Sequence, residues 1–98
     1  MFQLVYTNRF RKDVKLLKKR GFDIDLLKST IVQLEETGTL SVKNRPHKLS
    51  GYYSGFWEAH LNPDWLILWK VFPDDKEVWL TRTGTHADYF DFVFDPAT

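Results

Sequence analysis

The chain has 98 residues and no cysteine, which suits one domain over residues 1–98 and excludes a disulfide framework or a cysteine-ligated zinc site. No stretch resembles a signal peptide and no apolar run approaches membrane-spanning length, so we expect a cytoplasmic protein without a membrane partner. The formal net charge is +1, but residues 1–48 carry 11 Lys/Arg against 5 Asp/Glu whereas residues 49–98 carry 3 against 8, a pattern that indicates either a polyanionic partner or a solvated, lysine-rich helix face.

The first half of the chain predicts one strand followed by two helices. The loose alternation over residues 2–7 is typical of a strand, and Asn8 is positioned to cap the next element. Apolar residues then recur at helical spacing over residues 10–17 and again over 27–34, and a glycine follows each stretch. Two helices joined so closely are expected to form an antiparallel hairpin.

The second half of the chain predicts mostly strands. Residues 39–51 are expected to form an extended connection. A meander of three strands should follow, at residues 52–61, 65–72 and 77–83, with turns that contain proline and aspartate between them. A short terminal strand is expected at residues 91–94.

This order of elements predicts an α+β fold. The sheet should be small, twisted and mostly antiparallel, with the N-terminal helical hairpin packed on one face and the other face available for a ligand. Thr85 and Asp88 have the spacing of a weak capping box, which predicts a short helical turn after the last meander strand. The sequence leaves open where the first strand joins the sheet.

Five side chains of the meander and its connections can carry acid–base chemistry on a phosphate. They are the three histidines of the chain, one aspartate and one arginine: His47, His60, Asp64, Arg82 and His86. They come from different segments, but they converge if the meander pairs as predicted, because each lies near a strand end.

Such a set matches the needs of RNA cleavage. Histidine gives or takes a proton near neutral pH, and arginine offers a fixed fork of donors to phosphate oxygens. The ribose 2′-hydroxyl of RNA is the nucleophile, so the enzyme has to supply a base, an acid and a cation that stabilises the phosphorane.

Each residue alone also has an ordinary structural explanation. Lone histidines are frequently surface residues, Arg82 can pair with a carboxylate such as Glu58, and Asp64 suits a turn. Trp65 and Phe90 would usually be core residues. A metal site is a weaker interpretation, because the spacing of the histidines matches no compact ligand motif, and no glycine-rich phosphate loop or nucleophile elbow is present.

Two long segments carry a resemblance to a known family. AHLNPDWLILWK at residues 59–70 and RTGTHADYF at residues 82–90 resemble the YafQ branch of the RelE/ParE toxin superfamily. HKLSG at residues 47–51 and FRKDVK at residues 10–15 fit the same family. The resemblance covers nearly the whole chain, and the tail 91–98 runs beyond the family pattern.

The resemblance implies a compact α+β fold and an endoribonuclease that cuts messenger RNA on the translating ribosome, without a metal or other cofactor. It also implies a cognate antitoxin protein as partner. The site positions it carries over are His47, His60, Asp64, Arg82, His86 and Phe90, with Trp65 matching the pattern beside Asp64.

The resemblance also suggests a role for each position. His86 would be the general acid for the 5′-oxygen, and either Asp64 or His60 would be the base or would orient it. Arg82 would bind the scissile phosphate, and His47 would hold phosphate or tune the pKa of a neighbour. Phe90 would position the RNA or support His86.

The resemblance also implies a partner for the basic first helix, namely the ribosome. Lys15 and Lys18 would contact ribosomal RNA phosphates. The alternative function is that of the ParE branch, a non-enzymatic toxin that acts on DNA gyrase by protein contact. That branch shares the fold but lacks the histidine-rich site, so the histidines and Arg82 favour the nuclease.

Overall fold

The computed structural model describes residues 1–88, so Phe90, the expected strand at 91–94 and the rest of the tail lie outside the described residues. The described chain forms a five-stranded sheet, two long α-helices, two single-turn 3-10 helices and a helical turn at residues 86–88. In chain order the elements are β1 (Gln3–Tyr6), α1 (Asn8–Lys19), α2 (Ile24–Thr37), a 3-10 turn (Val42–Asn44), β2 (His47–Lys48), a second 3-10 turn (Gly51–Tyr53), β3 (Phe56–Asn62), β4 (Trp65–Phe72) and β5 (Glu77–Gly84).

The sheet has the strand order β1-β5-β4-β3-β2. β3, β4 and β5 pair antiparallel, as predicted for a meander, and the additional strand β2 pairs antiparallel with β3. β1 pairs parallel with β5 at one edge, with Gln3 opposite Glu77. The prediction of an α+β fold with a mostly antiparallel sheet is therefore confirmed, and the structure adds the place of the first strand.

The core lies between the two helices and one face of the sheet. Alternate residues of the central strands face the helices, as the two-residue period of a strand requires. The buried side chains from the helices are Phe10, Leu17, Leu27, Ile31 and Leu34, and those from the strands are Ala59, Leu61, Trp65, Ile67, Trp69, Val78 and Leu80. The predicted apolar stripes of both helices supply this contact.

The N-cap of α1 differs from the one that the sequence predicts. Thr7, not the predicted Asn8, is the N-cap of α1: its hydroxyl accepts a hydrogen bond from the Phe10 amide at 3.1 Å and donates one to the Leu80 carbonyl at 2.9 Å. Thr7 is the cap because its side chain also bonds to β5, and this contact between distant residues cannot be predicted from the local sequence. Asp23 caps α2 through the Leu26 amide at 3.1 Å.

Two predicted boundaries in the second half were wrong. The strand predicted over residues 52–61 begins only at Phe56, because Gly51–Tyr53 forms a 3-10 turn and Gly55 has a φ of +97°. The connection at 39–51 is not wholly extended, since it contains a 3-10 turn and the short strand β2. Within residues 1–88, no helix is both long and apolar enough to cross a membrane.

Candidate functional site

The site lies at the end of the sheet where the β3–β4 turn meets the end of β5. Leu66 of β4 pairs with His60 on one side and with Gly84 on the other. This register brings the end of β3 beside the residues that follow β5. His60 and His86 consequently approach each other, with ring centroids 6.0 Å apart and a 42° angle between the ring planes.

His86 is oriented by Asp64. The His86 ring donates from Nδ1 to Asp64 Oδ1 at 2.6 Å, and its backbone amide donates to the same oxygen at 3.2 Å. The side-chain hydrogen bond and then the backbone hydrogen bond from His86 lower the pKa of Asp64. Because Nδ1 is engaged, Nε2 is the ring atom left to meet a substrate.

Asp64 is held in place by the turn that precedes it. Its amide donates to the Asn62 side-chain oxygen at 3.0 Å, which is an Asx turn. The pairing of β3 with β4 also shifts register between His60 and Asn62. Bulges of this kind redirect side chains at strand ends. The hairpin therefore presents His60 from its strand and Asp64 from its turn to the same place.

A capping box holds the backbone around His86, as predicted. Asp88 Oδ2 accepts from the Thr85 amide and the Thr85 hydroxyl, each at 3.0 Å. Arg20, at the end of α1, donates to the same oxygen at 3.1 Å. A Cβ on Gly84 would stand 2.9 Å from the Asp88 Cβ, so this close approach requires glycine.

His47 joins the site through β2 and a buried carboxylate. His47 lies opposite Glu58 in the β2–β3 register, and its Nε2 is 3.1 Å from Glu58 Oε1. Glu58 is 8% exposed, and this burial raises its pKa against the opposing effect of His47 and His86. His47 Nδ1 also faces the Arg45 carbonyl at 3.2 Å. Both ring nitrogens therefore face oxygen acceptors.

Sequence reasoning did not select Glu58 as a site residue and named it only as a possible partner of Arg82. The available signal was its position two residues before His60, which places both side chains on one face of a strand. A glutamate at such a position is usually exposed, so the sequence alone does not distinguish it from a surface residue.

His60 lies in a setting that favours its neutral form. Burial lowers its pKa first, and the positive charges of Arg45, His86 and His47 lower it further. Among residues 1–88 its buried Nδ1 has no hydrogen-bond partner. Asn44 donates from its side chain to the His60 carbonyl at 2.8 Å and so fixes the connection against β3.

Arg82 is held by α1. Its Nε and Nη2 donate to the two carboxylate oxygens of Asp13 at 2.7 and 3.1 Å, and Asp13 also accepts from the Thr83 amide at 3.1 Å. The arginine and aspartate side chains are 17% and 14% exposed. Sequence reasoning missed Asp13, since it is 69 residues away from Arg82 in the chain.

Trp65 and the two lysines of α1 are the remaining predicted residues that the structure describes. Trp65 is 1% exposed, and its indole donates to the Thr83 hydroxyl at 2.9 Å. A side chain so buried cannot stack on an RNA base, so Trp65 can act on the site only by supporting β5. Lys15 and Lys18 are exposed on α1. Within the part of the chain that the structure describes, no group of three or more acidic or histidine side chains is arranged to hold a metal ion.

The arrangement combines the groups that general acid–base catalysis on a phosphodiester requires. The lowered pKa of His60 favours its neutral form, which can accept a proton. A second imidazole, 6.0 Å away between ring centroids, is oriented by a carboxylate and can donate one. Two groups at this separation can act on a single phosphodiester.

Comparison with known proteins points to one family. A family model described as a bacterial toxin of type II toxin–antitoxin systems, YafQ, matches residues 2–91. The mRNA interferase toxin YafQ of Escherichia coli K12 is 38% identical over 86 residues, which are 87% of this chain and 91% of that protein.

Solved structures agree with this match. The crystal structure of the E. coli DinJ-YafQ complex superposes with a TM-score of 0.80 and 35% identity, and the match covers 92% of this chain and 99% of that one. A copper-bound L66S mutant toxin from Helicobacter pylori superposes with a TM-score of 0.81 and 32% identity over 90% of this chain and 98% of that one.

Proposed function

The chain belongs to the YafQ family of bacterial type II toxins, and from that premise we propose that it is an endoribonuclease that cuts messenger RNA. The E. coli relative bears the name mRNA interferase. The observation that carries the proposal is the approach of His60 to His86, with His86 oriented by Asp64 at 2.6 Å.

His60 acts as the general base and His86 as the general acid in this proposal. His60 takes the proton of the ribose 2′-hydroxyl, and the 2′-oxygen then forms a bond to the phosphorus. The bond from phosphorus to the 5′-oxygen breaks, and His86 gives its proton to that oxygen. The products are a 2′,3′-cyclic phosphate and a free 5′-hydroxyl. At the end of the step His60 is protonated and His86 is neutral, the reverse of their starting states.

The other residues position the substrate or these two groups. Asp64 accepts from His86 Nδ1 and so directs Nε2 to the leaving oxygen. His47 contacts the buried Glu58 carboxylate and opposes the rise in its pKa that burial causes. Arg82 contacts the phosphate from a side chain that Asp13 fixes, and Phe90 positions the RNA.

The partners follow from the family. The E. coli relative is found in complex with DinJ, and we infer a cognate antitoxin for this chain as well. We further propose that cleavage takes place in the cytoplasm on the translating ribosome, which holds the message in the single-stranded form that the site needs.

Replacement of the proposed general acid tests the function. Wild-type protein induced briefly in cells should produce cut messages whose new ends can be mapped. His86→Gln should lower cleavage at least a thousandfold, since the leaving oxygen loses its proton donor. The control is Asp75→Asn, an exposed residue in the turn at the other end of β4 and β5, which should cleave like wild type.

Two results would contradict the proposal. Full cleavage by His86→Gln would refute the role of His86, and intact messages with wild-type protein would refute the nuclease. DNA breaks that accompany intact messages would indicate a gyrase poison. Antitoxin binding and thermal unfolding of His86→Gln should match wild type, because the His86 side chain is 58% exposed.

Removal of metal ions tests the absence of a cofactor. We propose that His60 and His86 suffice for proton transfer, so cleavage should be unchanged when the toxin is treated with a chelator and then freed of it before ribosomes and message are added. The copper-bound Helicobacter toxin makes this control necessary. Activity that is lost with the chelator and restored by a divalent ion would contradict cofactor-free catalysis while leaving the endoribonuclease assignment in place.

A further inference from the structure

The connection before β2 carries an arginine that the mechanism above does not use. Arg45 is exposed and follows the 3-10 turn Val42–Asn44. Its positive charge, together with the charges of His86 and His47, lowers the pKa of His60 beyond the effect of burial.

The backbone on both sides of Arg45 is attached to the site. Asn44 is 7% exposed and donates to the His60 carbonyl at 2.8 Å. The Arg45 carbonyl itself contacts His47 Nδ1 at 3.2 Å. These two contacts fix the Arg45 backbone against β3 and β2, while its side chain remains exposed to solvent.

The backbone of Arg45 adopts an unusual conformation. Its φ and ψ are +52° and +55°, in the left-handed region where glycine and asparagine are favoured over residues such as arginine. Residues in sparsely populated backbone conformations cluster at functional sites, so the conformation of Arg45 is consistent with a role for its side chain.

Arg45 and Arg82 differ in how their side chains are held. Arg82 forms a two-bond ion pair with Asp13 and its side chain is 17% exposed. Among residues 1–88, no carboxylate forms an ion pair with Arg45. The carboxylates nearest the histidines are engaged: Glu58 with His47 and Asp64 with His86.

We propose that Arg45 binds a phosphate of the RNA backbone beside the scissile bond, as a second cation of the site. The inference rests on the proposed endoribonuclease function and adds a substrate contact to it. The Arg45 guanidinium carries a permanent positive charge beside a site whose carboxylates are already engaged, and a bound phosphate group would compensate that charge. The planar guanidinium fits two phosphate oxygens at once.

The test compares Arg45→Asn with Lys43→Asn. Asparagine suits the left-handed backbone, so Arg45→Asn should fold, and thermal unfolding checks this. Lys43 is an exposed cation of the same turn, so its replacement removes an equal charge from the same segment. Arg45→Lys keeps the charge but loses the planar fork.

Binding is measured with a 2′-O-methyl RNA trinucleotide, which cannot be cleaved, followed through the His60 and His86 ring signals by NMR. Arg45→Asn should weaken binding roughly tenfold and reduce the slope of log affinity against log salt by about 1. The affinity of Arg45→Lys should lie between those of wild type and Arg45→Asn. The affinity of Lys43→Asn should stay within about twofold of wild type, since solvent and salt screen a charge that lies outside the site. The pKa of His60, titrated without RNA, should be higher in Arg45→Asn than in wild type or Lys43→Asn.

The outcomes separate this inference from the proposed function. Equal binding by wild type and Arg45→Asn, or equal losses in Arg45→Asn and Lys43→Asn, would overturn the role of Arg45 whatever the cleavage result. Binding that depends on Arg45 in a wild-type protein that cuts no RNA would support the phosphate site and overturn the endoribonuclease. In a protein that does cleave, Arg45→Asn should lower kcat/KM by roughly tenfold to a hundredfold.

Discussion

His60 and His86 are the same residue type in two environments, and the environments assign their tasks. His60 is partly buried beside positive charges, which lower its pKa. His86 is 58% exposed and donates to a carboxylate at 2.6 Å. The first arrangement favours a neutral base and the second favours a proton donor, as expected when two titratable groups of one site divide acid and base roles.

The pH dependence of cleavage should report the lowered pKa of His60. A base acts in its unprotonated form, and a lowered pKa keeps His60 unprotonated at a lower pH than an ordinary histidine. The acidic limb of the kcat/KM profile should therefore lie below the ordinary value of 6.5. The profile of the purified protein on a ribosome-bound message measures it. An acidic limb above 6.5 would speak against His60 as the base, and His60→Gln should lose most activity at every pH.

The pair of Asp13 and Arg82 should support both stability and cleavage. Asp13→Asn keeps an oxygen for the Thr83 amide but removes the charge that orients the guanidinium. We expect the free energy of unfolding to fall by about 1–2 kcal/mol and kcat to fall roughly tenfold. Urea unfolding and single-turnover cleavage measure the two effects.

The control for Asp13 is the more exposed ion pair of the same helix. Arg20 and Asp88 have side chains that are 39% and 34% exposed, so Arg20→Gln should cost less than about 1 kcal/mol. If Asp13→Asn unfolds and cleaves like wild type, the carboxylate neither holds Arg82 nor matters to the substrate.

At the level of elements, the site is built where two strand ends meet. The β3–β4 hairpin contributes His60 and Asp64, and the segment after β5 contributes His86. Neither part is complete alone, since the Asp64 carboxylate reaches the His86 ring across 22 positions of the chain. The close packing of Gly84 against Asp88 helps to shape the segment that carries His86.

Gly84→Ala should therefore damage the site more than the fold. The new Cβ would meet the Asp88 Cβ at 2.9 Å, which forces the capping box and His86 to move. We expect about 1–3 kcal/mol of destabilisation and a fall in kcat of at least tenfold.

The control is Gly38→Ala, where a φ of +76° and a Cβ contact with Phe2 at 3.0 Å should also destabilise the protein, but on the helix side of the sheet. Comparison of cleavage at equal folded fraction separates the two effects. Equal activity of both variants after that correction would contradict a positioning role for Gly84.

At the level of the whole molecule, charge is divided between the two halves of the chain. Eleven of the 14 Lys/Arg residues lie within residues 1–48, and several of them are exposed on α1. Since α1 also holds Arg82 through Asp13, the basic helix and the site form one connected body. A polyanion that binds the helix would thus lie close to the element that supports the site.

Charge reversal on α1 should weaken ribosome binding. Lys15→Glu with Lys18→Glu changes the net charge by four, and we expect at least a tenfold loss of affinity with a shallower salt dependence. Lys28→Glu with Lys76→Glu makes the same change in charge elsewhere and is the control. Sedimentation with ribosomes at several salt concentrations measures both. Unchanged binding by the α1 variant would mean that this face is only solvated.

The local pattern of the sequence determined the helices, the strands β1, β4 and β5, and the capping box of Thr85, because these depend on neighbours within a few residues. The motif segments at 47–51, 59–70 and 82–90 also identified the family and the four residues His47, His60, Asp64 and His86 that the structure brings to one end of the sheet.

Contacts between distant parts of the chain decided the rest. The parallel pairing of β1 with β5, the choice of Thr7 as cap, the pairing of Glu58 with His47 and the attachment of Arg82 to Asp13 all join different elements. A carboxylate or arginine looks the same in the sequence whether it faces water or a buried partner. Strand register and helix packing decide whether the charged side chain faces water or a buried partner. Burial of the core as a whole sets both the register and the packing.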